Sequence, residues 1–235
     1  MNVTALLLAD SRFPGGGHVH SGGLEEAASR GLVRTEADLP GFLRNRLRTA
    51  GALAAAFAAA AARPGVDWLV LDAELDARTP SAAQRAASRA QGRATARAAK
   101  AMLSLGADPG MAVSSVGSDA DLPVSAGAEL LAAVPRPHHA ILLGALVGVP
   151  EDAALAAAYL AVTGPASASV RLLGLDPLRV NAVVAALGPE IAEVAAVAAE
   201  VRAPADLPAP GSPGLDVLAE EHDRHHREEV RLFAS

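Results

Sequence analysis

The sequence predicts an all-α fold, a single-domain bundle of roughly ten helices, on three observations. Apolar residues make up 51% of the chain but aromatics only 3%, so the apolar content is mainly Ala, Leu and Val. Alanine is the best helix former and lets helices pack closely. Apolar positions recur every three or four residues, as in Leu187, Ile191, Val194, Val197 and Val201, which reads as a core-facing stripe. Finally, no segment alternates with period two over a useful length, and no internal repeat is present.

The elements follow in order. Residues 3–9 form a short apolar helix, and a glycine-rich loop comes next. A helix over 21–30 starts at Ser21 with Glu25 and Glu26 in its first turn and ends near Gly31. Thr35-Glu36-Ala37-Asp38 has the form of a capping box with Asp in place of the usual Glu. A long helix then runs to Arg63-Pro64-Gly65, with Pro40 as a point of interruption. Residues 66–78 are helical and acidic. Thr79, Pro80 and Ser81 open the next helix: Thr79 can cap, Pro80 suits a first turn, and Ser81 with Gln84 offers a second cap. That helix runs to Leu105-Gly106, and 107–123 is loop-like. Pro135 and Pro137 precede an apolar helix over 140–149, and 151–162 is helical. Gly164-Pro165 predicts a break or kink. Asp176-Pro177 opens another helix as cap and first turn. Residues 203–214 read as a Pro-rich linker, and Ser212-Pro213 opens a last helix through about Arg227. The expected organisation is a helical domain over 1–203, with a Pro-rich linker, C-terminal helix and partner-binding tail over 204–235.

Composition excludes several classes. The chain has no cysteine, which removes disulfides, thiolate metal sites and cysteine nucleophiles and fits a reducing cytoplasm. A net charge of −6 and a pI near 5.6 argue against a general nucleic-acid binder. Mean hydropathy is high at +0.27, yet the apolar runs 50–62 and 140–150 fall short of the roughly 20 residues a membrane span needs. Leu6-Leu7-Leu8 lacks a basic lead and is followed by Asp10, so it is no signal peptide. The surplus hydrophobicity is expected at partner interfaces.

The stretch from Ala9 to Glu25 is the most informative. Glycine is costly to order, so a loop this rich in it signals a tight turn or a close approach. It lacks the lysine and spacing of a phosphate-binding loop, and no strand precedes it. His18 and His20 could share a metal, although no carboxylate accompanies them. In the C-terminal cluster, His222 and His226 stand at i, i+4 with His225 beside them. With Asp223 they are a distant echo of a zinc-hydrolase helix, so a metal-dependent hydrolase is one competing reading. An unrelated helical interaction module is the other. Arg85, Arg89, Arg93 and Arg97, with Lys100 close by, form a basic stripe beside the acidic segment bearing Asp67, Asp72, Glu74 and Asp76. These two read as packed, solvated charged helices or as an Arg face for an acidic partner. No Ser-His-Asp, paired-carboxylate or cofactor constellation stands out, and the sequence makes no case for an enzyme.

The motif Asp-Ser-x-x-Pro-x-Gly-Gly-x-x-His-Ser-x-Gly-Leu-Glu, carried by Asp10, Ser11, Pro14, Gly16, Gly17, His20, Ser21, Gly23, Leu24 and Glu25, resembles the N-terminal signature of the urease accessory protein UreF family. Arg85, Ser88, Gly92 and Arg93 resemble that family's R-x-x-S-x-x-x-G-R helix, and His139 ahead of Gly144 fits it too. His225 followed by Arg231-Leu232-Phe233 and Ser235 resembles its closing segment. The chain departs from the pattern at His18, where an aromatic is usual. It departs again over 169–177, where the A-V-R-L-x-P-L-G-Q motif survives only in part.

The resemblance implies an all-helical, non-enzymatic urease maturation chaperone in the cytoplasm. It implies a homodimer that pairs with UreD, called UreH in some organisms, and recruits the GTPase UreG for nickel delivery to the urease apoprotein. No cofactor is implied for this chain, because nickel is handled by the complex; neither a membrane nor a nucleic acid is implied. The resemblance places the C-terminal tail against UreD and the N-terminal loop near the UreG-binding surface. The partner-binding candidates are therefore Asp10, Pro14, Gly16, Gly17, His18, His20, Ser21, Glu25, Arg231, Leu232 and Phe233.

Overall fold

The computed structural model describes residues 2–17, 20–106, 122–202, 204–209 and 211–232. Its α-helices are α1 (Val3–Ala9), α2 (Leu24–Ser29), α3 (Leu39–Arg46), α4 (Ala52–Ala61), α5 (Trp68–Ala77), α6 (Ala82–Gly106), α7 (Leu122–Ala133), α8 (His139–Val147), α9 (Pro150–Leu173), α10 (Pro177–Ala186), α11 (Gly188–Ala199) and α12 (Pro213–Leu232). A π turn, Leu47–Gly51, joins α3 to α4 in one continuous helix. Counted that way, the described residues hold eleven helices and no strand, the all-α architecture expected.

The bundle is built around α9, which packs against α1, α2, α3, α4, α8, α10 and α11. The residues it buries are mostly alanines, among them Ala153, Ala154, Ala156, Ala157 and Ala158. α4 likewise buries everything from Ala55 to Ala61, and α8 everything from Ala140 to Val147. Small side chains bring these helices close. Where α8 crosses α4 the approach is backbone to side-chain position, since a Cβ on Gly144 would collide with the Ala58 carbonyl. Leu, Ile and Phe fill the remaining space; Ile141, Leu142, Phe57 and Leu47 are fully buried. Each such side chain contributes about 1.5–3 kcal/mol by leaving water. α9 is also long and apolar enough to cross a membrane, but 56% of that window is buried inside the bundle.

The structure corrects the sequence reading in several places. α9 does not break at Gly164-Pro165; it runs through from Pro150 to Leu173. Proline has no N–H to offer the carbonyl four residues back. That carbonyl, Ala161 O, accepts a hydrogen bond from Arg46 Nε at 3.0 Å instead. Arg46 Nη1 also donates to Gly22 O at 2.9 Å, so one guanidinium ties the glycine loop to the central helix. Burial lowers the Arg46 pKa to about 10, which leaves it a cation at neutral pH.

Val197 is 70% exposed, not a core residue; α11 turns Leu187, Ile191, Ala195 and Ala198 inwards at four- and three-residue steps. Pro40 sits in the first turn of α3 and does not interrupt it. Asp38 supplies only the back-reaching half of a capping box, accepting from the N–H groups of Arg34 and Thr35 at 3.0 Å each. Ser81 is the cap of α6, accepting from Gln84 N–H at 3.1 Å. α2 begins at Leu24, three residues later than expected from Ser21. α7 begins at Leu122, inside the stretch expected to be a loop, and 107–121 lie outside the described residues. Within the expected linker, Pro204–Asp206 forms a 3-10 turn and Leu207 is buried. α12 continues past Arg227 to Leu232.

The Arg46 account predicts a specific coupling. Arg46→Ala is expected to lose about 2–4 kcal/mol in urea unfolding, because it orphans the Ala161 carbonyl inside α9 and the part-buried Gly22 carbonyl. In a Pro165→Ala background the new N–H at 165 re-bonds Ala161 O, so the same substitution is expected to cost at least about 1 kcal/mol less. Strict additivity of the two changes would contradict the account.

Candidate functional site

A cleft of about 770 Å³ opens between the end of the glycine loop, α6, the N-terminus of α8 and α12. His20, Ser21, Glu25, Ser88, His139 and His222 are among its lining residues.

The loop wall is shaped by close approaches. Gly16, Gly22 and Gly23 have φ of +75°, +64° and +91°, which disfavour any side chain. Gly16 and Gly17 lie across α6, next to Ala94 and Gln91. A Cβ on Gly22 would come within 2.8 Å of Arg46 Cζ. The loop then turns into α2, where Ser21 Oγ accepts from Glu25 N–H at 3.3 Å. Further out, Arg12 beside Asp10 pulls the Asp10 carboxyl down to about 2.

The floor rests on a polar network that joins α5, α6 and the start of α8. Arg89 donates to Asp72 Oδ2 at 2.7 Å, to Asp76 Oδ2 at 2.6 Å and to the Arg136 carbonyl at 2.7 Å. His138, almost wholly buried, places Nε2 2.9 Å from Asp76 Oδ1 and Nδ1 3.0 Å from Ser88 Oγ. Neutral His138 fits this set: Nε2–H donates to Asp76 and Nδ1 accepts from the Ser88 hydroxyl, which itself accepts from His139 N–H at 3.3 Å. Burial and the Arg89 charge lower the His138 pKa against the pull of Asp76. Burial tends to raise the Asp76 carboxyl, but hydrogen bonds from His138 and Arg89 outweigh it and hold it below the usual range. The basic stripe and the acidic helix thus pair with each other at Arg89, which is the packed-helix reading of those charges.

This network also explains the spacing of the Arg85 to Arg93 motif. Ser88 sets the His138 imidazole, and Gly92 lies one turn on, where a Cβ would overlap the Pro137 carbonyl. Asp72, Asp76 and His138 are the one His and acid group among the described residues whose ligand atoms lie within 4.8 Å of one another. The Arg89 guanidinium already occupies both carboxylates, so the group works as an ion-paired joint.

The last wall is α12. Glu220 Oε1 accepts from Ser81 Oγ at 2.7 Å and Ala83 N–H at 2.9 Å, capping α6 from outside. Asp216 Oδ1 accepts from Gln84 Nε2 at 2.8 Å. Burial raises the Asp216 pKa, and the neighbouring Glu220 charge adds to it. Glu221 pairs with Arg30. His225 Nδ1 stands 3.3 Å from Glu26 Oε2, and His222 Nε2 stands 3.9 Å from Glu25 Oε2. Glu26 is only 4% exposed; the hydrogen bond from Arg30 outweighs burial and, with His225, holds its carboxyl low.

The structure brings His20, Ser21 and Glu25 together with His222 on this cleft. Asp10 and Pro14 lie apart from it at the start of the loop, and Gly16 and Gly17 serve the crossing over α6. Arg231 and Leu232 close the backbone of α12, while His18 and Phe233 lie outside the described residues. His222, His225 and His226 do not form a metal-binding group among the described residues. Sequence reasoning missed Arg46, Glu26 and His138. The buried acid and the buried imidazole gave no periodic signal, and His138 was legible only as the neighbour of His139.

The family model described as UreF matches residues 33–188. The chain is 44% identical over 234 residues to a urease accessory protein UreF of Mycobacterium sp. (strain JLS), covering 99% of this chain and 98% of that protein. It is 44% identical over 237 residues to one of Mycolicibacterium vanbaalenii, with the same coverage. It is 41% identical to one of Mycobacterium tuberculosis (strain ATCC 25618 / H37Rv) over 226 residues, 94% of each chain.

Two predictions follow from the network. Gly92→Ala is expected to cost about 3 kcal/mol or more in chemical denaturation, because the added methyl meets backbone. The exposed α3 change Gly41→Ala, with open space around it, is expected to gain about 0.5–1 kcal/mol; equal effects would refute the packing argument. The second concerns His139, which burial and the charge of His20 push down to about 4. The unfolded chain takes up that proton first, so stability is complete above about pH 6.5 and is lost as pH falls towards 4. Wild type is expected to lose up to about 3 kcal/mol more than His139→Gln between pH 7 and 4, and parallel pH curves would show that His139 is not buried neutral.

Proposed function

Because the chain belongs to the UreF family of urease accessory proteins, we propose that it works as the scaffold of a urease maturation complex. It is a urease accessory protein, a non-enzymatic maturation factor. In the fuller reading it forms a homodimer in the cytoplasm, binds UreD or UreH, and recruits UreG so that nickel reaches the urease apoprotein. The chain itself holds no resident cofactor in this reading.

One observation carries the proposal: the signature loop and the C-terminal helix, far apart in sequence, meet on one cleft. A surface made of both can read a partner that touches either. The loop is anchored at Gly22 O by Arg46, and an anchored surface lowers the entropy cost of docking. Exposed apolar side chains are available around the bundle for further contacts, including Val3, Leu6 and Leu7 on α1 and Leu178 on α10. Over 169–177, where the family motif is eroded, Gly174 closes α9 and Asp176 caps α10, accepting from Leu178 N–H at 2.9 Å. The turn between the two helices is thus kept by different residues.

Deleting residues 230–235 is expected to abolish co-purification with UreD while leaving the helical circular dichroism and melting transition unchanged. Co-purification at wild-type level by the truncated chain would refute the role given to Arg231, Leu232 and Phe233.

A further inference from the structure

Three features of α12 set it apart from the other helices. Its hold on the bundle is mainly polar. Among the described residues, Leu218 is buried and Leu215 half-buried, and Asp216, Glu220, Glu221, His222 and His225 make polar contacts. The one pair exposed on both sides, His222 with Glu25, contributes little. Next, the buried charge that α12 covers does not depend on it; only neutral donors, the Ala83 N–H, the Ser81 hydroxyl and the Gln84 amide, exchange an α12 carboxylate for water when it leaves. Without α12, Glu26 keeps Arg30 at 2.9 Å, the Gln84 N–H keeps Ser81 Oγ, and the Glu25 N–H keeps Ser21 Oγ. Undocking therefore strands no buried charge. Finally, α12 follows the proline-rich stretch 203–214 and packs chiefly on α2 and α6, not on the α4–α8–α9 core.

We propose that α12 is a releasable latch, and that the α2 and α6 face beneath it is a docking surface for an amphipathic helix of the partner protein. The chemistry of the occupant is written in α12 itself. It presents an apolar strip, Leu215 and Leu218, beside two carboxylates four residues apart, Asp216 and Glu220, that serve the N-terminus of α6. A partner helix with the same pattern satisfies Ser81, the Ala83 N–H and Gln84 and meets Arg30 as Glu221 does. The identity of that partner as UreD rests on the function proposed above.

The test uses the full chain, which has no cysteine of its own. Gln84→Cys with Asp216→Cys, bridged by a short reducible bis-methanethiosulfonate linker, holds α12 down. Capture of UreD by the bridged chain is expected to fall at least tenfold and to recover on reduction. Equal capture before and after reduction overturns the latch. Hydrogen exchange of the unmodified chain reads the latch without any partner. The α12 amides are expected to exchange at least a hundredfold faster than those of α9, and faster still in Glu220→Ala with α9 unchanged. Exchange of α12 and α9 in one common step overturns the latch. Failure of the unmodified chain to capture UreD, with α12 exchanging fast, refutes the partner assignment and leaves the latch standing.

Discussion

A single buried guanidinium holds the site to the fold. Arg46 stands at the end of α3, just before the π turn, and reaches two carbonyls on different elements. One is the carbonyl that Pro165 leaves without its helical partner, and the other belongs to Gly22 in the loop. The cation supplies the missing donor in the middle of α9 and fixes the loop with the same group. Without it the central helix carries an orphaned acceptor and the loop loses its anchor. The glycine at 22 follows from this, since the space a side chain would fill is taken by Arg46.

A second joint, around Arg89, sets the opposite wall. It locks the 136–139 segment against α5 and α6, so that His139 enters the cleft from a rigid start of α8. The two joints differ in kind. Arg46 is buried among carbonyls, whereas Arg89 is paired with two carboxylates that also raise its pKa against burial. Between them the cleft has fixed walls on the loop and α8 sides. The α12 side is the exception, closed by ion pairs and a short apolar strip. Under the proposed scaffold role, these fixed walls combine with a proposed one that opens.

Much of this was legible in the sequence. The alanine content and helical spacing gave the fold class, Asp176 placed its helix start correctly, and of the two caps offered for α6 it is the second, Ser81, and not Thr79, that is used. The glycine loop was read as a tight turn or a close approach and is both, though what it approaches, α6 and Arg46, was not legible. The errors share a physical origin. Pro165 breaks a helix unless a distant donor rescues the carbonyl behind it, and Arg46 stands too far away in sequence for any local rule to supply that donor. Val197 has the right residue type for a core, but the inward face of α11 runs through Ile191, Ala195, Ala198 and Ala199, which leaves Val197 on the outer side. Glu220 and Asp216 carry no local sequence signal for their service to the N-terminus of α6, which exists only in the folded chain.

The functional reading rests on family membership for the broad role and on the convergence of loop and C-terminal helix for the surface. Its central claim is that this chain assembles others in a set order. The most direct measurement is size-exclusion chromatography with light scattering on the chain alone, then with UreD, then with UreG added. The account predicts a dimer that shifts to a larger complex with UreD, and UreG joining only when UreD is present. A chain that ignores both partners, or takes up UreG without UreD, would contradict it.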